Sequence, residues 1–341
     1  MPLSVKELAI PSSAFAAELL GIELLEEHAR RLAAGLTVDM RRARRPRKHF
    51  RRLVEHSKAL RTVYTSLAKD VRAGEPPSPA AEWFLDNFYI VTAAARDVWR
   101  DLPADFVRRL PRVASEEYAG QPRVYALASE LIRLSALRLD AQRLQRFITA
   151  FQSIAPLTMG ELWAWPSALK LALVEHVRVH ADVLAARRTH RELADRIAAQ
   201  FDLAAVGAHG WPPEAHPAFV IRLLQRSQEL ENPSALRHEV ELALAAKGHS
   251  IEDAITAEGR HQASEQAAMA SLIGSLRLIS SFDWSEFFEN VSLVEQVLQR
   301  DPAGVYARMD FRSRDRYRHA IEELADPTVE SQQRVALASV E

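Results

Sequence analysis

The sequence predicts an all-α protein, an irregular multi-helix bundle with long helices and no significant sheet. Three observations predict it. Ala, Leu, Arg and Glu dominate the chain, and its 11 Gly and 17 Pro gather at breaks between helical stretches. No run of alternating β-branched residues occurs, nor any Asn-Gly or Asp-Gly hairpin turn. Capping-box starts recur at Thr158-x-x-Glu161, Asp283-x-x-Glu286 and Ser292-x-x-Glu295. In that motif a small polar side chain and an acid three residues on satisfy the free N–H groups of a helix start.

Taken in order, Ser13 is placed to cap a first helix ending near Gly35. A basic stretch follows, with Arg41, Arg42, Arg44, Arg45, Arg47, Lys48, Arg51 and Arg52 and no acid among them. A second helix runs from about Pro46 to Arg72. Residues 1–73 then read as an N-terminal helical hairpin, and GEPPSP at 74–79 as the clearest boundary. A core domain is expected over 75–325, with a tail over 326–341.

Within that core, Ser78 caps a helix with Pro79 at its first position. Ala80, Trp83, Phe84, Asn87, Phe88 and Val91 form its mostly apolar face. The two prolines of LPADFVRRLPRVAS split short helical pieces. Helices over 122–137 and 141–153 follow, the second capped by Asp140. A long helix starts at the Thr158 box, kinks at Pro166 and continues towards Ala185 or beyond. GAHGWPPEAHP (207–217) is a loop, followed by helices to about Leu230, from Pro233 to Lys247, and from Ser250 to about Ser281. Phe282 and Phe287 stand at hydrophobic-staple positions around the Asp283 box.

The stretch 301–318, DPAGVYARMDFRSRDRYR, carries charges of both signs in a short span. Asp301-Pro302 and Gly304 make a turn, and Ser313 is expected to cap a helix with Asp315 in its first turn. Tyr317, Ala320, Ile321 and Leu324 give that helix an apolar stripe. Arg308, Asp310, Arg314, Asp315, Arg316 and Arg318 are its candidate binding residues: arginines hold carboxylates or phosphates bidentately, which suits a docking element.

Several chemistries have no motif here. Gly-rich phosphate loops, HExxH and GxSxG are absent, and there is no Cys, which excludes disulfides and thiol catalysis. His176 and His180 have metal-compatible spacing near Asp182, but no third ligand is evident, so no metal or cofactor site is predicted. No catalytic residue can be singled out. The tryptophans are expected mostly in the core, with Trp163, Trp165 and Trp211 the candidates for sugar stacking. The net charge of −1 argues against a general polyanion binder. Around the basic stretch Phe50 stands alone, without the interleaved aromatics of a nucleic-acid platform. Arg41, Arg42, Arg44, Arg45, Arg47 and Lys48 are instead assigned to an anionic surface such as lipid head groups. No signal peptide and no membrane span are read, so the chain is expected to be soluble.

GEPPSPAAEWFLDNFYIV (74–91), DLPADFVRRLPRV (101–113), QPRVYALASELI (121–132), APLTMGELWAWPSALKLALVEHVR (155–178), SSFDWSEFFENVSLVEQVL (280–298) and DPAGVYARMDFRSRDRYRHAIEELA (301–325) resemble the N-terminal region of the cyclic β-1,2-glucan synthases, in that family's order. The resemblance implies an all-α region that in the family precedes membrane helices, a processive glycosyltransferase domain and a phosphorylase-like domain, using UDP-glucose. The aspartate motifs and the Gln-x-x-Arg-Trp signature of those transferases are absent, so no catalytic residue carries over. The expected role is a non-catalytic scaffold or docking module. Its partner would be the catalytic remainder of a glucan synthase, in cis or as a separate chain, at the cytoplasmic face of the inner membrane. Two other readings stand beside it: a stand-alone helical glucan-binding or glucan-hydrolysing protein, and a nucleic-acid-binding helical regulator using the basic stretch.

Overall fold

The computed structural model describes residues 20–39, 47–114, 118–199, 216–229, 233–325 and 328–341. The all-α expectation holds. In chain order the helices are α1 (Ile22–Gly35), α2 (Arg47–Arg72), α3 (Pro79–Asp86), α4 (Phe88–Asp101), α5 (Ala104–Arg109), α6 (Arg123–Leu134), α7 (Ala141–Gln152), α8 (Met159–Ala199), α9 (Pro217–Ser227), α10 (Pro233–Ala245), α11 (Ile251–Ser281), α12 (Trp284–Val291), α13 (Leu293–Leu298), α14 (Phe311–Leu324) and α15 (Val329–Val340). One small sheet joins β1 (Val38–Asp39) to β2 (Arg112–Val113), antiparallel, with Val38 opposite Val113. Ser13 and most of the 207–217 loop lie outside the described residues, as do Arg41, Arg42, Arg44 and Arg45.

The caps explain why the helices start where they do. Ser78 accepts from Ala81 N, with Pro79 at the first helical position. Asp140 accepts from Arg143 N. In the Thr158 box, Glu161 N donates to Thr158 Oγ1 at 3.3 Å and Thr158 N donates to Glu161 Oε2 at 2.9 Å. Asp283 accepts from Ser285 N and Glu286 N, and the Phe282 and Phe287 rings meet at 5.9 Å. α8 does not end at Pro166.

The chain divides into two units, one of Met1–Lys58, Phe88–Val177 and Ser271–Glu341, the other of Ala59–Asn87 and Arg178–Ala270. The expected boundary at GEPPSP therefore falls within the second unit. α2, α8 and α11 each contribute residues to both.

In the first unit, α1 packs along α7. Leu25, Ala29 and Ala33 are buried from one side, and Leu144, Phe147, Ile148 and Phe151 from the other. The two alanines let the helix axes approach, while each large side chain removed from water contributes about 1.5–3 kcal/mol. The box acid Glu161 also receives Arg123 of α6, at 2.8 Å (Nε to Oε1) and 2.6 Å (Nη2 to Oε2), and Arg123 donates to Pro156 O at 3.0 Å. Both side chains are buried. After α6 the chain turns through Ala136 (φ 46°) and Leu137 (φ 66°), a left-handed pair that costs non-glycine residues about 1–2 kcal/mol each. Ser275 of α11 clamps this turn: its hydroxyl donates to Leu137 O at 2.8 Å and accepts from Leu139 N at 2.9 Å.

The second unit has its own core. Ala194 and Ala198 of α8 pack with Phe219, Val220 and Leu223 of α9, Leu236, Val240 and Leu244 of α10, and Ile251 and Ala254 of α11. Arg187 lies buried between Glu258 and Glu265, which it contacts on either side, the latter at 2.6 Å.

Candidate functional site

The charged stretch at 301–318 folds around an acid that precedes it. Ser292 caps α13 by accepting from Glu295 N at 3.2 Å. Glu295 is 1% exposed. Its Oε2 accepts from Tyr306 Oη at 2.7 Å and from Arg318 Nη1 at 2.8 Å. Its Oε1 accepts from Gln299 Nε2 at 2.6 Å and from Arg314 Nη1 at 3.5 Å. Glu289 adds a second carboxylate, 2.7 Å from Arg314 Nη2.

Arg318 is fully buried. Its guanidinium lies over the Phe288 ring at 5.0 Å and the Phe311 ring at 4.6 Å, and donates to Asp315 Oδ1 at 3.2 Å. Burial works against its charge, but Glu295, Tyr306 and Asp315 hold its pKa above the ordinary arginine value. Burial, with Glu295 beside it, pushes the Tyr306 phenol up as well. Tyr306 therefore stays a neutral donor, and Arg318 and Glu295 form the buried centre of a network whose other members, Glu289, Arg314 and Asp315, reach towards the surface.

The turn before α14 is built on Asp301. Its carboxylate accepts from Ala303 N, Val305 N and Tyr306 N at 3.0, 2.8 and 3.0 Å. Gly304 takes φ 60° there, and Arg308 closes the turn by donating to Gly304 O at 2.8 Å and Ala303 O at 3.2 Å.

Two expectations for α14 are corrected. Asp310, not Ser313, is the N-cap, accepting from Ser313 N at 2.9 Å; the extended backbone at Asp310 places its carboxylate over the first turn. The stripe of Tyr317, Ala320 and Leu324 faces outwards, with Tyr317 52% and Leu324 76% exposed; only Ile321 of that set is buried. The inward face is Arg314, Arg318 and Ile321, because Glu289 and Glu295 await them there. Of the candidate binding residues, Arg314 and Arg318 are thus committed inside the fold, and the half-exposed Asp315 is engaged by Arg318. Asp310 and Arg308 are exposed but serve as cap and turn closure. Arg316 is exposed without a partner among the described residues, as is Arg312. Glu289 and Tyr306 were not singled out by sequence reasoning, and Glu295 only as the acid of the Ser292 capping box. The i, i+4 spacing of Arg314 and Arg318 was the one available signal that both share a helix face.

The other candidates separate. Trp165 is fully buried, with no exposed surface for a sugar ring. Trp163 stacks on His319 at 4.2 Å and on Phe288 at 5.9 Å. Trp211 lies outside the described residues. Asp182 is engaged by Arg178, and among the described residues no group of three or more His, Asp or Glu is arranged to hold a metal. Arg47 and Lys48 fall in the first turn of α2, where only the backbone is described. No described helix is long and apolar enough to cross a membrane.

No family model matches the chain. It is 34% identical over 295 residues to the cyclic β-(1,2)-glucan synthase NdvB of Rhizobium meliloti (strain 1021). The chain is related to the cyclic β-(1,2)-glucan synthases. The similarity covers 84% of this chain and 10% of that synthase, so the chain spans about a tenth of its relative's length. The expected resemblance is thereby met, over a stretch that includes most of the elements described above.

Proposed function

We propose that the chain is a non-catalytic helical scaffold and docking module of the cyclic β-1,2-glucan synthase kind. It supports synthesis of cyclic β-1,2-glucan from UDP-glucose by catalytic domains that lie elsewhere, in the same polypeptide or in a separate one. The similarity to the Rhizobium meliloti synthase carries this reading, because it runs along most of this chain yet accounts for so little of the synthase. The absence of transferase motifs from the sequence agrees with it.

The docking surface is the outward side of α14, where Arg312, Arg316, Tyr317 and Leu324 are exposed. Arginine beside exposed tyrosine is the composition of a recognition patch. The buried Arg318–Glu295 network holds that helix rigid from behind. The module works at the cytoplasmic face of the inner membrane, where the basic sequence from Arg41 to Lys48 supplies charge opposite to that of anionic head groups.

Co-purification tests the reading. The chain is mixed with the separately produced membrane-bound remainder of a cyclic β-1,2-glucan synthase, and retention is measured. Arg312→Glu with Arg316→Glu should abolish retention and leave the melting temperature unchanged. Retention that survives the double substitution moves the docking surface elsewhere. Incorporation of glucose from UDP-glucose by the chain alone overturns its non-catalytic role.

A further inference from the structure

The second unit holds an open cleft of about 190 Å³. Its apolar surface comes from Leu67 and Val71 of α2, Ala81 of α3, Leu184 of α8, and Ala218 and Ile221 of α9. Four arginines also line it: Arg187, Arg188, Arg191 and Arg222.

Three of the four are spoken for. Arg187 is held by Glu258 and Glu265. Arg188 makes a two-pronged pair with Asp70, at 2.6 and 3.0 Å, and reaches Glu192 at 2.7 Å. Arg222 pairs with Asp195 at 2.7 and 3.1 Å and with Glu75 at 2.7 Å. These pairs also use the three carboxylates that line the cleft, Asp70, Glu75 and Glu258. Arg191 is half-buried and has no hydrogen bond or ion pair among the described residues. Of the four arginines, Arg191 alone thus keeps its guanidinium free.

The apolar surface does not stop at the cleft. A shallower groove shares Ile221, Gln225, Glu258 and Gln262 with it and continues past Leu224 and Ile255, the latter 53% exposed. A partnerless guanidinium in the lining of an apolar cleft that runs on into an apolar groove suits an amphiphile.

We propose that this cleft binds an organic anion with an apolar body and a single carboxylate or phosphate head, and that Arg191 receives the head. A planar guanidinium with no internal partner can offer two parallel N–H donors to either head group. The fixed pairs at Arg188 and Arg222 leave their acids unable to compete for it. Gln225, exposed at the junction of cleft and groove, borders the path of the body.

Calorimetric titration of the full chain with octanoate, octyl phosphate, 1-octanol and inorganic phosphate tests this. Octanoate or octyl phosphate should bind saturably at one site, and whichever binds more tightly identifies the head group. 1-Octanol and inorganic phosphate should each bind at least tenfold more weakly. Arg191→Gln should weaken the amphiphile tenfold or more, Arg191→Lys less. Gln225→Glu, which brings a like charge to the path without altering Arg191, should also weaken it. Neither Arg191 nor Gln225 has a partner to lose, so melting temperatures should hold. Equal affinity in Arg191→Gln, equal binding of 1-octanol, or no saturable binding of either amphiphile overturns the proposal.

Discussion

Arg318 Nη1 meets Glu295 Oε2 at 2.8 Å, and neither side chain keeps more than 2% of its surface exposed. The pair links α14 to α13 in a place where water cannot replace either partner. Removing one member of such a pair leaves a buried charge uncompensated, which costs about 3–5 kcal/mol. Arg318→Ala should lower unfolding stability by that amount in denaturant titrations. Arg316→Ala, on the exposed side of the same helix, should stay within about 0.5 kcal/mol of wild type. Equal losses would mean that the network does not hold α14 in place.

Glu161 has two tasks, completing the Thr158 box and receiving Arg123. Thr158→Ala removes only the cap and should cost about 0.5–2 kcal/mol. Arg123→Ala should cost about 3–5 kcal/mol, because Glu161 then remains buried with the box alone to satisfy it. The larger loss is thus expected from the residue further away in sequence. Chemical denaturation of the two variants gives the order directly.

Ser275 secures a strained turn. Ser275→Ala leaves Leu137 O and Leu139 N without their partner, and a loss of about 1–3 kcal/mol should follow. Ala136→Gly relieves the left-handed strain at φ 46° and should recover part of that loss in the double variant. If the glycine lowers stability further, strain at this turn is not a significant contribution.

Acid should loosen the turn before α14. Asp301 has its pKa lowered, first by the N–H of Tyr306, then by those of Ala303 and Val305. A carboxylate lowered in the folded state stabilises the fold above its unfolded pKa, and that contribution disappears as pH falls through the lower folded value. Asp301→Asn should therefore be less stable than wild type near neutral pH. The gap should close below about pH 4, where unfolded aspartates take up their proton. A gap constant from pH 7 to pH 2 would assign the difference to geometry rather than charge.

What could be read from the sequence was whatever is local. The Ser78, Asp140, Thr158 and Asp283 caps are each set by residues within three positions, and each is found where expected. The inner face of α14 could not be read this way. Its apolar period pointed to Tyr317, Ala320 and Leu324, but a carboxylate nineteen and twenty-three positions upstream of Arg314 and Arg318 made those two the buried residues. Hydrophobic periodicity assumes that apolar side chains go inside; a preplaced pair of acids reverses that locally. The same limit hid the Arg123–Glu161 pair, separated by 38 positions. The Asp310 cap was missed for a smaller reason: two residues three apart could each begin the helix, and backbone conformation decided between them.

The second unit is assembled from Ala59–Asn87 and Arg178–Ala270, with a long insertion between. During synthesis at about 5–20 residues per second, its first portion leaves the ribosome on the order of ten to forty seconds before its last. Through that interval Leu60, Leu67 and Phe84, all buried in the finished protein, wait for segments that do not yet exist. The first portion is in that sense a client of the translation machinery: slowing elongation between codons 88 and 270 prolongs its exposure to chaperones and proteases, whereas slowing it after 270 does not.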